Sequence, residues 1–244
     1  ADNNTAVGFQ SLKANTTGTF NTAVGNNAGD AITTGGRNIA IGSSALTSDT
    51  VGSRAVAIGY EALATQNFTS ATDNYNIGIG FQAGYAVTTG VQNTFIGGLA
   101  GDATTTANNN TAVGYFSLSA NTTGTANTAV GQNSLLTNTT ASNNTAIGRF
   151  SLRLNTTGAN NTAVGYEALD KNTTAANNTA VGMQAMQGNT TGANNVAMGQ
   201  AALAGNTTAA NNTAIGYASL AANTTGTGNV AVGHDAFKTN TTGG

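Results

Sequence analysis

The chain has 244 residues, a net charge of −2, one histidine and no cysteine, proline or tryptophan. So small a charge provides neither the basic stripe that binds nucleic acid nor the basic run that binds anionic lipid. Disulfides and thiol chemistry are excluded, and no stretch approaches the roughly 18 consecutive apolar residues of a membrane-spanning helix.

A glycine that follows Ala-Val or a similar pair marks a repeat along the whole chain. These anchor glycines are 17 residues apart, except that the interval from Gly59 to Gly80 has four extra residues. They are Gly8, Gly25, Gly42, Gly59, Gly80, Gly97, Gly114, Gly131, Gly148, Gly165, Gly182, Gly199, Gly216 and Gly233. Fixed self-similarity of this kind is typical of a solenoid. The sequence predicts an all-β fold: one parallel β-solenoid, or β-roll, of 14 coils over residues 1–244, without recognisable caps.

Each coil begins with a short predicted strand that ends at the anchor glycine. The residue before the anchor is always Val, Ile or Met, and the residue two positions earlier is Thr, Val or Ile. Positions two apart share one face of a strand, so we expect this pair to face the core. The residue between them is Ala in twelve coils, with Gly78 and Phe95 as exceptions, and is expected to face the opposite side.

After the anchor, Ala or Ser stands at the third position and usually Leu at the fourth, which predicts a second short strand. The following Asn-Thr-Thr with Gly or Ala predicts a polar turn. In three coils glycine replaces the Leu, at Gly29, Gly84 and Gly101. We expect Ile32 and Val87 to supply the apolar contact in the first two, whereas the third is unexplained.

Asparagine stands four residues before the anchor in thirteen coils, and Ala55 is the exception. Like positions of stacked coils lie about 4.8 Å apart. Stacked asparagine side chains at this spacing are expected to hydrogen bond from coil to coil.

The sequence predicts no catalytic, cofactor-binding or metal-binding residue, and therefore no enzyme. His234 is the only histidine, so a zinc site of several imidazoles is excluded. The carboxylates appear scattered over different repeat positions, whereas catalytic pairs need a shared cleft. These carboxylates include Asp30, Asp49, Asp73, Asp102 and Asp170.

Two recurring surface features leave alternatives open. Aromatic residues directly after several anchors, such as Tyr60 and Tyr166, either stack against sugars or cover the Ala and Leu rows or a seam between subunits. The turn asparagines also form glycosylation sequons, although turn chemistry alone explains them and glycans on every coil would crowd. The candidate glycosylation sites are Asn121, Asn138, Asn155, Asn172, Asn189, Asn206 and Asn223.

The stretches "NNTAVGYEAL" and "NTAIGRFSL" resemble the head repeats of trimeric autotransporter adhesins of the YadA type. The 17-residue pattern is also similar to repeats of phage tail-fibre-like and bacterial surface-fibre proteins. This resemblance implies a β-roll, usually trimeric, that acts as a shaft or an adhesive head. The adhesin heads have shorter coils, and no neck, stalk or membrane anchor of such proteins is recognised here.

We therefore expect a structural or adhesive segment of an extracellular fibre or filament on a cell surface or virion. A phage tail-fibre shaft or receptor-binding segment is the alternative. A third reading is an ice-binding solenoid, against which the adjacent Thr173 and Thr174 argue because neighbouring side chains diverge.

The expected partners are copies of the chain itself, as a homotrimer or an end-to-end filament, and a cell-surface or glycan receptor is a further candidate. Strands that are apolar on both faces are normally covered on both faces. We expect the alanine row to be the oligomer interface. Its candidate residues are Ala112, Ala129, Ala146, Ala163 and Ala180. Nucleic acid and membrane insertion are not expected.

Overall fold

The structure is a computed structural model that describes residues 1–243. Its residues group into two compact units, Ala1–Thr125 and Ala126–Gly244. Within the described residues every regular element is a β-strand, and each unit contains seven coils with one anchor glycine each. The predicted all-β parallel β-solenoid with a 17-residue coil is confirmed.

In the first unit, seven three-residue strands form a parallel sheet in which each coil pairs with the next. Two further strands, β4 (Gly52–Ser53) and β6 (Thr72–Asp73), form a separate parallel pair at the insertion. The insertion leaves the register intact, because Val56 still pairs with Ile77. The seven strands are β1 (Thr5–Val7), β2 (Thr22–Val24), β3 (Ile39–Ile41), β5 (Val56–Ile58), β7 (Ile77–Ile79), β8 (Thr94–Ile96) and β9 (Thr111–Val113).

In the second unit, seven strands of three residues form a parallel sheet in chain order. The register is strict, so that Ala146 lies opposite Ala163 and Ala163 lies opposite Ala180. The strands are β10 (Thr128–Val130), β11 (Thr145–Ile147), β12 (Thr162–Val164), β13 (Thr179–Val181), β14 (Val196–Met198), β15 (Thr213–Ile215) and β16 (Val230–Val232).

The inner face of both sheets carries the alanines, so the predicted orientation of the strands is wrong. In β11 the central Ala146 is fully buried, whereas Ile147 is 40% exposed. The reason is the narrow interior of a 17-residue coil. At Gly78, an added Cβ would already lie 2.8 Å from Leu63 Cγ on the opposite wall. Even a methyl group is too close at Gly78, and in the regular coils the small alanine lies inside while the β-branched residues lie outside.

The segment after each anchor consists of successive turns, so the predicted second strand is wrong. Glu167 and Leu169 have φ values of 55° and 52°. Backbone bonds alternate between local and inter-coil partners: Ala168 N–H donates to Gly165 O, and Leu169 N–H donates to Ala185 O. A left-handed conformation costs a non-glycine residue roughly 1–2 kcal/mol. Full burial of the Leu169 side chain offsets this strain.

The anchor glycines form a stacked column in which neighbouring coils approach closely. Gly165 has a φ of 138°, and a Cβ added there would lie 2.5 Å from the carbonyl oxygen of Gly182 in the next coil. Contacts below about 3 Å force the backbone apart. The predicted glycine corner is confirmed, and close coil-to-coil approach explains it.

Phe95 replaces the usual inner alanine and fills space that two missing leucines leave. It is fully buried in the first unit. A Cβ added at Gly84 would lie 2.7 Å from the Phe95 ring, and one at Gly101 would lie 2.4 Å from it. One large ring therefore replaces the leucine contacts of two coils, which explains the coil that the sequence left unexplained. Ile32 fills the corresponding space at Gly29, where its Cδ1 would be 3.0 Å from an added Cβ.

The exchange of side-chain volume between position 95 and position 101 predicts that a second substitution restores stability lost by the first. Phe95→Ala should lower the free energy of unfolding by about 3–5 kcal/mol, because it leaves a cavity. Adding Gly101→Leu should restore much of this loss, since leucine at the same position of other coils adopts the same φ. Urea denaturation of both variants measures the effect.

Gly101→Leu alone is the control and should be destabilising, because its side chain meets the Phe95 ring. Additive effects of the two substitutions would show that the two positions do not share one space.

Candidate functional site: asparagine ladders and the outer face

A first asparagine ladder, formed by the residue four positions before each anchor, connects successive coils. The buried Asn161 accepts the backbone N–H of Asn178 at 3.0 Å through Oδ1. Its Nδ2 donates to the carbonyl of Ala175, at 2.9 Å, at the end of its own coil. The predicted coil-to-coil bonding is confirmed, with a backbone N–H as the main donor.

The one coil without this asparagine receives a substitute from the insertion. Ala55 has no side-chain acceptor, and Asn74 Oδ1 accepts the Asn76 N–H at 2.9 Å in its place. Asn76 then continues the ladder by accepting the N–H of Asn93, also at 2.9 Å. The insertion therefore preserves the hydrogen-bond pattern that the Ala55 coil would otherwise interrupt.

The sequon asparagines form a second asparagine ladder inside the coils. Asn155 Nδ2 donates to Asn138 Oδ1 and to the Gly158 carbonyl, both at 2.9 Å. Every proposed glycosylation site has zero exposure: Asn121, Asn138, Asn155, Asn172, Asn189, Asn206 and Asn223. Their prediction as glycan carriers is wrong for the folded chain, because the nitrogen that would carry the glycan lies in the interior. Their strict recurrence every 17 residues was the signal for a second ladder.

Asp49 takes the place of an asparagine in the second ladder and is a buried carboxylate. Its Oδ1 accepts the N–H of Gly52 at 3.0 Å, and its Oδ2 accepts Gln66 Nε2 at 2.7 Å. Burial raises the pKa of Asp49 above its usual value, and these hydrogen bonds oppose the shift only in part. No ion pair joins Asp49 to a cation in the described chain.

The outer face of each sheet consists of the two strand residues that flank the inner alanine. All of these positions hold Thr, Val, Ile or Met, and none carries a charge. Ile41, Ile147 and Met198 are between 36% and 43% exposed. The alanines proposed as the oligomer interface lie inside instead, with zero exposure in a single chain: Ala112, Ala129, Ala146, Ala163 and Ala180. That assignment is wrong, because the chain's own core covers them.

Aromatic rings after the anchors stay exposed and stack along the coils. Tyr60 stacks on Phe81 with ring centroids 5.6 Å apart, and Tyr217 stacks on His234 at 4.9 Å. All four residues are exposed. The interpretation that these rings cover the Ala and Leu rows is wrong for the single chain, and the two alternatives, sugar stacking and a seam between subunits, stay predictions.

The carboxylates are more ordered than the sequence analysis suggested. Asp30, Asp102 and Asp170 all stand five residues after an anchor. Each bonds to the same position one coil away: Ser119 Oγ donates to Asp102 at 2.5 Å, and Arg153 pairs with Asp170 at 2.8 Å. Desolvation raises the pKa of Asp102. These groups cross-link neighbouring coils.

The described residues contain no group of three or more His, Cys, Asp or Glu side chains able to hold a metal ion, and no surface pocket. Across residues 1–243 there is also no helix of the length and hydrophobicity needed to cross a membrane. Comparison with family models, curated proteins and solved structures finds no match. The resemblance to adhesin heads and tail fibres stays a prediction.

The first asparagine ladder predicts that Asn161→Ala lowers the free energy of unfolding by about 3 kcal/mol, because the N–H of Asn178 loses its buried acceptor. Asn160→Ala is the matched control. Asn160 is exposed, and the equivalent residue of another coil, Ala126, has a similar φ. Equal losses for the two variants in urea denaturation would contradict the ladder's role.

The buried carboxylate predicts that Asp49→Asn stabilises the folded chain by an amount that depends on pH. Because the folded-state pKa of Asp49 is raised, the folded chain binds its proton more tightly than the unfolded chain. This residue's contribution to stability therefore falls as pH rises from the ordinary carboxyl pKa through the raised one. The difference in unfolding free energy, Asp49→Asn minus wild type, should be larger at pH 7 than at pH 3.

Urea denaturation at both pH values measures this difference. Asp2→Asn makes the same change at an exposed carboxylate, where no burial is relieved, and is the matched control. A difference for Asp49→Asn that does not change with pH would contradict the burial argument.

Proposed function

We propose that this chain is a non-catalytic structural segment of an extracellular fibre that associates with copies of itself through the outer face. The observation that carries this proposal is the uncharged outer face, in which Thr, Val, Ile and Met continue over all seven strands of each unit. The row directly before the anchors holds only Val, Ile or Met, and soluble monomers rarely expose a contiguous apolar row of this kind. The inner face is already covered by the coil's own leucines, so association concerns the outer face.

A second copy of the chain is the occupant that matches this surface. The side-chain rows repeat at the strand spacing of about 4.8 Å, and another parallel solenoid has the same repeat. Rows of Val and Ile on one copy then fit between the rows of the other along the whole sheet. A partner without this periodicity meets only a few rows in register.

The resemblance of the repeats to YadA-type heads and tail-fibre proteins supports the same function. It implies a parallel trimer on a cell surface or virion, with an adhesive role. The exposed rings of Tyr60 and Phe81 are surface features that suit a glycan receptor. Adhesion and self-association use different positions of the coil.

Three substitutions on the outer face test self-association: Ile147→Lys, Val164→Lys and Val181→Lys combined. We expect wild type to sediment as an oligomer and this variant as a folded monomer, because its lysines point to solvent in the free chain and are buried without partners in the oligomer. Sedimentation velocity and circular dichroism measure both properties.

The matched control carries Thr157→Lys, Thr174→Lys and Thr191→Lys, which add the same charge at exposed turn positions of the same unit. It should remain oligomeric. A monomeric wild type, or equal dissociation of both variants, would contradict association through the outer face.

Ice binding is a second candidate, favoured by the same outer face. The adjacent Thr173 and Thr174 lie in the turn and do not bear on it. On the strands, threonine and an aliphatic residue stand two apart in straight rows. Among the described residues, the hydroxyls of Thr145, Thr162 and Thr179 make no protein hydrogen bond, so they are free to order water.

The two candidates differ in thermal hysteresis, measured on the same three proteins. Self-association predicts only a colligative effect for wild type. A monomeric wild type whose thermal hysteresis disappears in the outer-face variant and persists in the turn control would replace the fibre proposal with ice binding.

A further inference from the structure

We propose that the first unit binds an acidic saccharide at a row of four residues that we name the arginine row: Phe20, Arg37, Arg54 and Tyr75. These residues occupy the same position, five before the anchor, in four consecutive coils. In the other ten coils this position holds only Asn, Gln, Ala or Gly. Charge and aromatic rings are therefore concentrated at one place on an otherwise neutral row.

Each arginine contacts the aromatic ring at its own end of the row. The guanidinium carbon of Arg37 lies 5.5 Å from the centroid of the Phe20 ring. That of Arg54 lies 5.3 Å from the Tyr75 ring centroid, and Arg54 also donates to the Tyr75 hydroxyl. Phe20 is 53% exposed and Tyr75 is 47% exposed. Two flat apolar surfaces thus flank two positive charges.

The positive charge of this row is only partly compensated. Arg37 and Arg54 stand at the same position of successive coils, where like charges repel. Asp73 forms an ion pair with Arg54 at 3.2 Å. Within the described chain no carboxylate lies at ion-pair distance from Arg37, which is exposed. A bound anion would relieve the repulsion that the folded chain leaves in place.

The arrangement selects the chemical class of the ligand. A guanidinium offers paired N–H donors that match a carboxylate or a sulfate group. Aromatic rings offer flat surfaces for the apolar face of a sugar ring. A saccharide that carries carboxylate or sulfate groups presents both features together. The arginine row lies outside the outer face, so this site does not depend on the proposed self-association.

Isothermal titration calorimetry of the full chain tests this site with defined probes. The probes are a sulfated heparin tetrasaccharide, an oligogalacturonate, maltotetraose and sodium sulfate. We expect at least one acidic oligosaccharide to bind and maltotetraose not to bind. The relative affinities of the two acidic probes show which group the arginines prefer. Tighter binding of sodium sulfate than of either acidic oligosaccharide would reduce the site to a simple anion site and overturn the saccharide proposal.

The variant Arg37→Gln with Arg54→Gln should weaken binding at least about tenfold. Glutamine is the native residue at this position in the coil that follows the arginine row, as Gln92. The variant therefore keeps a residue type that the fold accepts. Phe20→Asn should also weaken binding without a change of charge, since asparagine is native at this position elsewhere. Circular dichroism checks that both variants are folded.

Arg149→Gln is the control for net charge, because it removes one cation from the second unit and leaves the arginine row intact. It should leave the affinity unchanged. Equal affinity of wild type and the double arginine variant would overturn the proposal, as would equal weakening by Arg149→Gln. Failure of the outer-face variant to dissociate leaves this result unaffected, so the two proposals fail independently.

Discussion

The fold depends on a buried primary amide that donates and accepts hydrogen bonds in a narrow interior. Each coil turns backbone N–H and C=O groups inward, and buried backbone groups need partners. Asparagine meets both needs, as Asn161 does with the N–H of Asn178 and the carbonyl of Ala175. A carboxylate lacks the donor, and its desolvation is costly, as the raised pKa of Asp49 indicates. Repetition follows from this constraint, because each coil supplies the acceptor for the next.

The narrow interior also fixes the volume of every inward side chain. Alanine faces leucine across the coil. The leucines adopt a left-handed backbone conformation, and their side chains are buried. Where the volumes change, they change together: Phe95 requires Gly84 and Gly101. Protein interiors tolerate such exchanges when total volume is kept. The irregular coils of the first unit are therefore compensated variants of one packing scheme.

A fixed interior leaves the outward positions free to vary. The residues after the anchor and five before it range from glycine and asparagine to arginine and tyrosine. The outer face is the exception among outward positions, because it stays restricted to Thr, Val, Ile and Met in every coil. These positions are restricted to four residue types although the single chain does not bury them. This restriction supports a contact between the outer face and another molecule.

The sequence by itself determined the period, the position of the strand before each anchor, the glycine corners, the polar turns and the register after the insertion, because each follows from repeat spacing and local residue type. It did not determine which side of each strand is buried. Alternation separates Ala146 from Thr145 and Ile147, but both sides are apolar enough to be a core, and only the width of the closed coil selects alanine. The role of Asn155 was undetermined for a similar reason. The sequence pattern of a turn asparagine is the same whether its side chain points outward to solvent or inward to Asn138. The tertiary structure decided both, since volume and hydrogen-bond partners inside the coil exist only once neighbouring coils are stacked.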